Sequence, residues 1–403
     1  MASLSSMLAS VSKPSGLWPI IINGINNGLL SFGWTIVLFT IIVKVAMSPL
    51  DFLMRWNSKK TTLVQKKLQP QVDKINKKYA NDKQRASMQT QALYKREGVN
   101  MLASCLISIV YLGLTMAVFF TLFADLRKYS AYQAVTQYIT MEEKYDEVID
   151  TTADKTAAQA EYDLVYANEI DGGATEEQAV AAAQAAYDTK YYATADKQAA
   201  GEAAAKVWDK NKDGWLWIQN IWIQDTQKNP MPTYDALKSI VKSGKYTSVS
   251  KAFKNIDKTK YNEVTSVARQ QNKRWNGYYI LAVLAIGLTF LSQFVSEIGN
   301  KVGKKKKENK QLNKYYKPLD EKGKSSLSNS TGGAMKIMKY VLPLIMAVFV
   351  IMSSASFGIY IVVSSAISIL INLLINYLVK LATKKQEAEV LDVLEKQDKK
   401  NAK

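Results

Sequence analysis

A lysine set inside a bilayer-length apolar run is the residue in this chain most able to do chemistry. Trp34 to Arg55 reads WTIVLFTIIVKVAMSPLDFLMR, and its only interior cation is Lys44. A charge at mid-depth on an isolated helix costs about 2.5–3.5 kcal/mol on insertion scales. Such a group either faces a protein interior or wet cavity, or lets its long stem carry the ammonium to the headgroups. Thr40, Lys44, Ser48 and Asp51 follow one another at spacings of four, four and three, which places them on one helical face. The run therefore has a lipid side and a wet side.

Other chemistries are narrowed by what is missing. The chain has no histidine, which removes Ser-His and Cys-His nucleophile pairs and every histidine-ligated metal. Its single cysteine, Cys105, allows no intramolecular disulfide. GNKVGK at 299–304 is one residue short of a phosphate-binding loop, and no cofactor is expected. DKNKDG at 209–214 matches the opening of a calcium loop, with Asp209, Asn211 and Asp213 at positions one, three and five. Position twelve is Asn220 where the motif needs a bidentate glutamate, and a polar turn explains the same residues.

The elements that must position Lys44 are apolar helices. The chain has 403 residues, 48% of them hydrophobic, and a net charge of +18. On a soluble protein that charge would suggest nucleic acid. Here the lysines flank long apolar runs, so a membrane protein with basic cytoplasmic loops is expected, with no DNA partner. Five spans are predicted, at 31–55, 100–127, 276–298, 335–353 and 356–381. The second carries Ser104, Ser108, Tyr111 and Thr115. The third carries Thr289, Ser292, Gln293 and Ser296. The fifth carries Tyr360, Ser364, Ser368, Asn372 and Asn376 at every fourth position. One such stripe is ordinary interhelical hydrogen bonding; several, with a cation on one, suggest a shared polar groove whose mouth faces the cytoplasm.

Between the spans, 1–30 is expected as an amphipathic segment in the outer interface, with Leu17–Ile22, Leu29 and Leu30 as its apolar residues. Residues 56–99 form a basic helical hairpin: Val64, Leu68, Val72, Ile75 and Tyr79 make its seam, and an Asn81–Gln84 capping box opens the second arm. Residues 128–275 form a large hydrophilic insertion whose alanine-rich stretch 176–207 is helical. The loop 299–334 is lysine-rich, with KKKK at 304–307, and 382–403 is a short charged helical tail. Positive loops stay in the cytoplasm, which puts the amino terminus and the insertion outside and the carboxyl terminus inside. The expected fold is all-α: five transmembrane helices, a cytoplasmic hairpin and an extracytoplasmic helical insertion.

TIIVKVAMSPL at 40–50, LQPQVDKINKKYANDKQ at 68–84 and LYKREGVNMLASC at 93–105 resemble the YidC/Oxa membrane-protein insertase family. WLWIQNIWIQD at 215–225, YYILAVLAIGLTFLSQ at 278–293 and MKIMKYVLPLIM at 335–346 continue the resemblance in the family's order, over about 270 residues in all. Lys44 falls where the family has an intramembrane arginine, and Gln293 at the polar end of its third span. The chain departs from the pattern by lysine at 44, by lacking the family's prolines in the second span and before the fifth, and by its longer external segment. It looks like a divergent bacterial member.

The resemblance implies a plasma-membrane insertase and chaperone, not an enzyme, that takes nascent membrane proteins through a cytoplasm-open groove. Its implied partners are those substrates and the bilayer, with the ribosome and the Sec translocon as further candidates. A channel or small-solute transporter would use the same stripes, although no inverted repeat is present. A receptor or scaffold acting through residues 129–273 is the third reading.

Overall fold

The computed structural model describes residues 4–26, 30–98, 101–302 and 343–401. Residues 303–334 of the basic loop expected at 299–334, residues 335–342 of the fourth expected span, Leu29, and the side chains of Ser104 and Ser108 lie outside the described residues, while 299–302 end a helix. Every regular element described is helical, and the one isolated antiparallel bridge pairs Trp215 with Ile218. Two compact units divide the chain: residues 1–35, 124–280 and 351–357, and residues 36–123, 281–350 and 358–403.

The chain opens with α1 (Leu4–Ser10) and α2 (Leu17–Ile25). On α2, Pro19 and Ile22 are buried while Leu17 and Ile20 are exposed, the one-sided pattern expected of an interfacial segment. Three helices carry apolar stretches long enough to cross a bilayer: α3 (Phe32–Lys78), α5 (Met101–Thr152) and, at the end of the chain, α14 (Ala355–Asn401). Shorter apolar stretches lie at Ile280–Ser296, within α12 (Ile280–Val302), and at Pro343–Met352, here α13. Leu38, Ile42 and Val45 on α3, Ile109, Val110 and Leu112 on α5, and Leu370, Leu373 and Leu374 on α14 are exposed. Apolar surface on that scale suits lipid as solvent rather than water.

The helices outrun the spans they contain. No glycine interrupts 55–78, its lysines, glutamines and leucines are good helix formers, and the helix continues through Pro70, so the first span and the first arm of the hairpin are a single helix. The same holds at 382–401, where the expected separate tail helix is the continuation of α14. The helix of the second span runs on to Thr152. In the hairpin, Leu68 and Val72 pack with Tyr94, Val64 and Leu93, and Lys67 pairs with Glu97 at 2.8 Å. The second arm, α4 (Lys83–Arg96), is capped by Asp82 rather than Asn81. The Asp82 N–H donates to the Tyr79 carbonyl, and its carboxylate accepts from the Arg85 N–H at 2.9 Å.

The unit containing 124–280 is built of capped helices. Asp154, Thr175, Asp196, Thr233 and Asp257 each accept from the first turn of α6 (Lys155–Asp171), α7 (Glu176–Thr194), α8 (Lys197–Asn211), α9 (Tyr234–Gly244) and α11 (Lys258–Gln271). The alanine-rich stretch is thus two helices, because Asp196 starts α8 where Ala195 is extended. α10 (Thr247–Lys254) completes the set. Val135, Tyr138, Ile139 and Tyr145 of α5 pack with Ala204 and Trp208 of α8, Leu237 of α9, Phe253 of α10 and Val264 of α11 in one core.

The segment 212–233 is irregular but internally bonded. With the end of α8 it contains the polar residues of the calcium-loop candidate. Asp209 pairs with Lys212, the Asp213 carboxylate accepts from the Trp222 indole at 2.5 Å, and the Asn211 carbonyl accepts from Gln137. Burial pushes the Asp213 carboxyl up, against the pull of the Trp222 N–H. Among the described residues no three carboxylates or thiolates gather as a metal would require.

Candidate functional site

The polar face of the first span lies in the unit of residues 36–123, 281–350 and 358–403, and most of its groups are already committed. Thr40 donates to the Ile36 carbonyl at 2.6 Å. Pro49 has no N–H for the Val45 carbonyl four residues before it, and the Ser48 hydroxyl donates there at 2.8 Å. Ser48 therefore mends the helix at its proline rather than facing a groove. On α5, Thr115 likewise donates to the Tyr111 carbonyl at 2.9 Å.

Other polar groups tie helices together. The Tyr111 hydroxyl donates to Asp51, linking α5 to α3. Arg55 spreads its guanidinium over two amides of α14, donating through Nη2 to Asn372 and through Nη1 to Asn376 at 3.2 Å. Asn372 in turn donates to the hydroxyl and carbonyl of Ser292 on α12, at 3.3 and 3.4 Å. Thr289 and Ser365 hydrogen-bond at 3.1 Å, and Tyr360 bonds Ser364 within α14. Interhelical bonds of this kind are worth about 0.6 kcal/mol each in a membrane. Four helices thus share one polar lattice.

Lys44, Gln293 and Ser368 remain outside it. Lys44 is half-buried, makes no hydrogen bond or ion pair among the described residues, and feels Asp51 only through space. Asp51, two helical turns further on, also faces Arg55 one turn beyond it. The site is therefore a row of alternating charge, Lys44, Asp51 and Arg55, with Tyr111 and Asn372 beside it. Arg55 and Ser365 were not on the expected stripes. Arg55 was within reach of the same spacing argument, since it extends the 40–44–48–51 stripe by four. Ser365 has no such signal: it lies one residue off the every-fourth pattern of α14.

Comparison with known proteins adds the context. Residues 24–162 match the family model described as the 60Kd inner membrane protein. A membrane protein insertase YidC of Fusobacterium nucleatum is 39% identical over 89 residues, 22% of this chain and 42% of that protein. The chloroplast inner membrane protein ALBINO3 of Arabidopsis thaliana is 38% identical over 91 residues, 22% of this chain and 19% of that protein. A YidC of Legionella pneumophila is 31% identical over 119 residues, 30% of this chain and 19% of that protein. The chain aligns with less than half the length of these curated relatives. No solved structure matches it. The matched stretch contains Lys44, Asp51, Arg55 and Tyr111, and over it the chain is similar to the YidC proteins named above.

Proposed function

We propose that this protein is a membrane-protein insertase and chaperone that works without bond-breaking chemistry. Five spans, 31–55, 100–127, 276–298, 335–353 and 356–381, cross the plasma membrane with the amino terminus and the 128–275 insertion outside. The hairpin, the 299–334 loop and the 382–403 tail then lie in the cytoplasm, as their positive charge favours. There the basic surfaces attract nascent chains, ribosomal RNA or anionic lipid through charge. Work beside a Sec translocon is compatible with this scheme.

The observation that carries the reading is Lys44: an uncommitted cation on the polar face of a bilayer-length helix, in a stretch similar to named insertases. An acidic residue near the leading end of a substrate is drawn to Lys44, and Gln293 and Ser368 replace part of its hydration. The polar leader crosses a shorter, wetter path, and the apolar helix behind it leaves sideways into lipid. Ser104 and Ser108 belong to the same proposed groove. Thr40, Ser48, Tyr111, Thr115, Ser292, Tyr360, Ser364 and Asn372 shape its wall through the bonds described above.

The test uses full-length protein in liposomes, wild type beside Lys44→Ala and Lys44→Arg, with single-span substrates bearing acidic or neutral leaders. Insertion of the acidic substrate falls severalfold in Lys44→Ala and is kept in Lys44→Arg, while the neutral one changes little. Equal loss for both leaders would remove the electrostatic role. Ion leak without insertion would replace the insertase with a channel.

A further inference from the structure

Four non-glycine residues in the described chain have positive φ: Leu216, Lys245, Tyr278 and Tyr279. Lys245 closes α9 as an ordinary left-handed cap. The other three are unusual for their residue types. Trp215 and Ile218 exchange both backbone hydrogen bonds at 2.9 Å, which makes 216 and 217 the centre of a two-residue turn. With φ 51°, Leu216 occupies a position that normally takes glycine or asparagine, and its side chain is 63% exposed. Tyr278 and Tyr279, at φ 57° and 60°, are 52% and 44% exposed.

The strain is held from beneath by one residue. Asn276 is fully buried; its side chain accepts from the Asn220 N–H and donates to the Asn220 carbonyl, both at 2.8 Å, while its carbonyl accepts from Gln219 at 3.1 Å. These bonds tie the chain two residues before Tyr278 to the residues that follow the 215–218 turn, within the unit that holds 124–280. Trp34 joins them, 48% exposed and edge-on to Trp215 at 5.7 Å, beside an open cleft of about 350 Å³. Backbone strain that positions apolar side chains in water has no benefit; strain that positions them in lipid does. Continuity selects the occupant. Trp34 is the third residue of α3, whose next turns are bilayer-length and apolar, and Tyr279 directly precedes the apolar α12. Exposed Lys228, over the Trp275 ring at 5.7 Å, adds a cation suited to headgroup phosphate.

We infer that the 215–218 turn and the Tyr278–Tyr279 pair form an interfacial anchor that seats Leu216 in the lipid leaflet on the side of the 128–275 insertion. This rests on the membrane-spanning reading of α3 and α12. Aromatic rings suit the headgroup level, and a leucine at the tip of a fixed turn suits the acyl boundary.

The experiment places single cysteines, labelled with an environment-sensitive fluorophore, in a Cys105→Ser background of the full chain reconstituted in phosphatidylcholine–phosphatidylglycerol vesicles. Leu216→Cys is compared with Leu164→Cys, exposed on α6, and Val110→Cys, exposed on the apolar part of α5. At 216, as at 110, brominated lipid quenches the label and aqueous iodide reaches it severalfold less than at 164. A label at 216 that iodide quenches as readily as at 164 overturns the anchor. A label shielded from both quenchers also overturns it, because protein then covers the turn. Water exposure at 110 would instead defeat the spanning reading, and the anchor with it.

Discussion

Asn276→Ala is the sharpest test of the bonded segment that joins 213–231 to the chain before α12. The side-chain amide makes three well-placed hydrogen bonds: from the Asn220 N–H at 2.8 Å, to the Asn220 carbonyl at 2.8 Å and to the Gln224 carbonyl at 3.0 Å. Each bond is worth about 1 kcal/mol net, and truncation leaves its partners unpaired in a buried place. The expected loss is about 3 kcal/mol. At about 2–4 °C per kcal/mol for a domain of this size, that is a fall of about 6–12 °C in melting temperature. Asn276→Asp separates hydrogen bonding from packing. It keeps the acceptor for Asn220 N–H but turns an oxygen toward two carbonyls, so at neutral pH it destabilises more than alanine. Its deficit shrinks as the pH falls and the carboxyl protonates to become a donor again. Melts of the full chain in detergent, with hydrogen exchange across 213–231, read both effects. An alanine variant within about 0.5 kcal/mol of wild type, or an aspartate variant more stable than alanine at neutral pH, would refute the reasoning.

Two further outcomes follow from the same unit. Burial pushes the Glu142 carboxyl up to about 7, with the Tyr138 hydroxyl and Lys260 pulling against it and Asp146 adding to it. A raised carboxyl stabilises the fold at low pH and loses that contribution as the pH climbs from about 4.5 to about 7, by at most about 3 kcal/mol. Melting temperature is expected to fall over that window in wild type and to stay flatter in Glu142→Gln; parallel curves would exclude Glu142 as the cause. Gly33→Ala is expected to destabilise by about 1–3 kcal/mol, because a Cβ there would stand 2.5 Å from Cγ and 2.7 Å from Cβ of Trp215. An unchanged melt in Gly33→Ala would mean that the indole moves aside freely.

Local patterns in the sequence were good guides to elements and poor guides to partners. The apolar stretches and the hairpin seam through Leu68 and Val72 follow from residue spacing, because a helix keeps its own register. Element ends were harder. Asn81 and Asp82 are both capping types, and only the structure shows that Asp82 is the one whose carboxylate accepts from the first turn of α4. The Thr40–Lys44–Ser48–Asp51 spacing puts these residues on one helical face but could not tell a hydroxyl aimed at a groove from one bonded to its own backbone. Ser48 shows why: its partner is a carbonyl freed by the next residue, Pro49. Least legible was the pairing of Asn220 with Asn276, 56 residues apart, and of Ile221 and Ile223 with the amides of Ser356 and Ala355 at 2.7 Å. No local period encodes such bonds. The calcium-like DKNKDG is as hard to read for the same reason, since Trp222 and Lys212 take up the Asp213 and Asp209 carboxylates.

The unbroken helix from the first span into the hairpin has a mechanical consequence. Lys44 and Lys74 sit on one rod, separated by about 45 Å at 1.5 Å per residue. A load on the hairpin, from a docked chain or a charged surface, is therefore delivered along the rod as torque rather than absorbed by a loop. Two prolines, Pro49 and Pro70, lie between load and charge; Pro49, where a serine hydroxyl stands in for the missing backbone bond, is the one beside the charged row. Flexure at Pro49 would turn Lys44 relative to Asp51 and Arg55, so a load on the hairpin would reach the charged row by leverage.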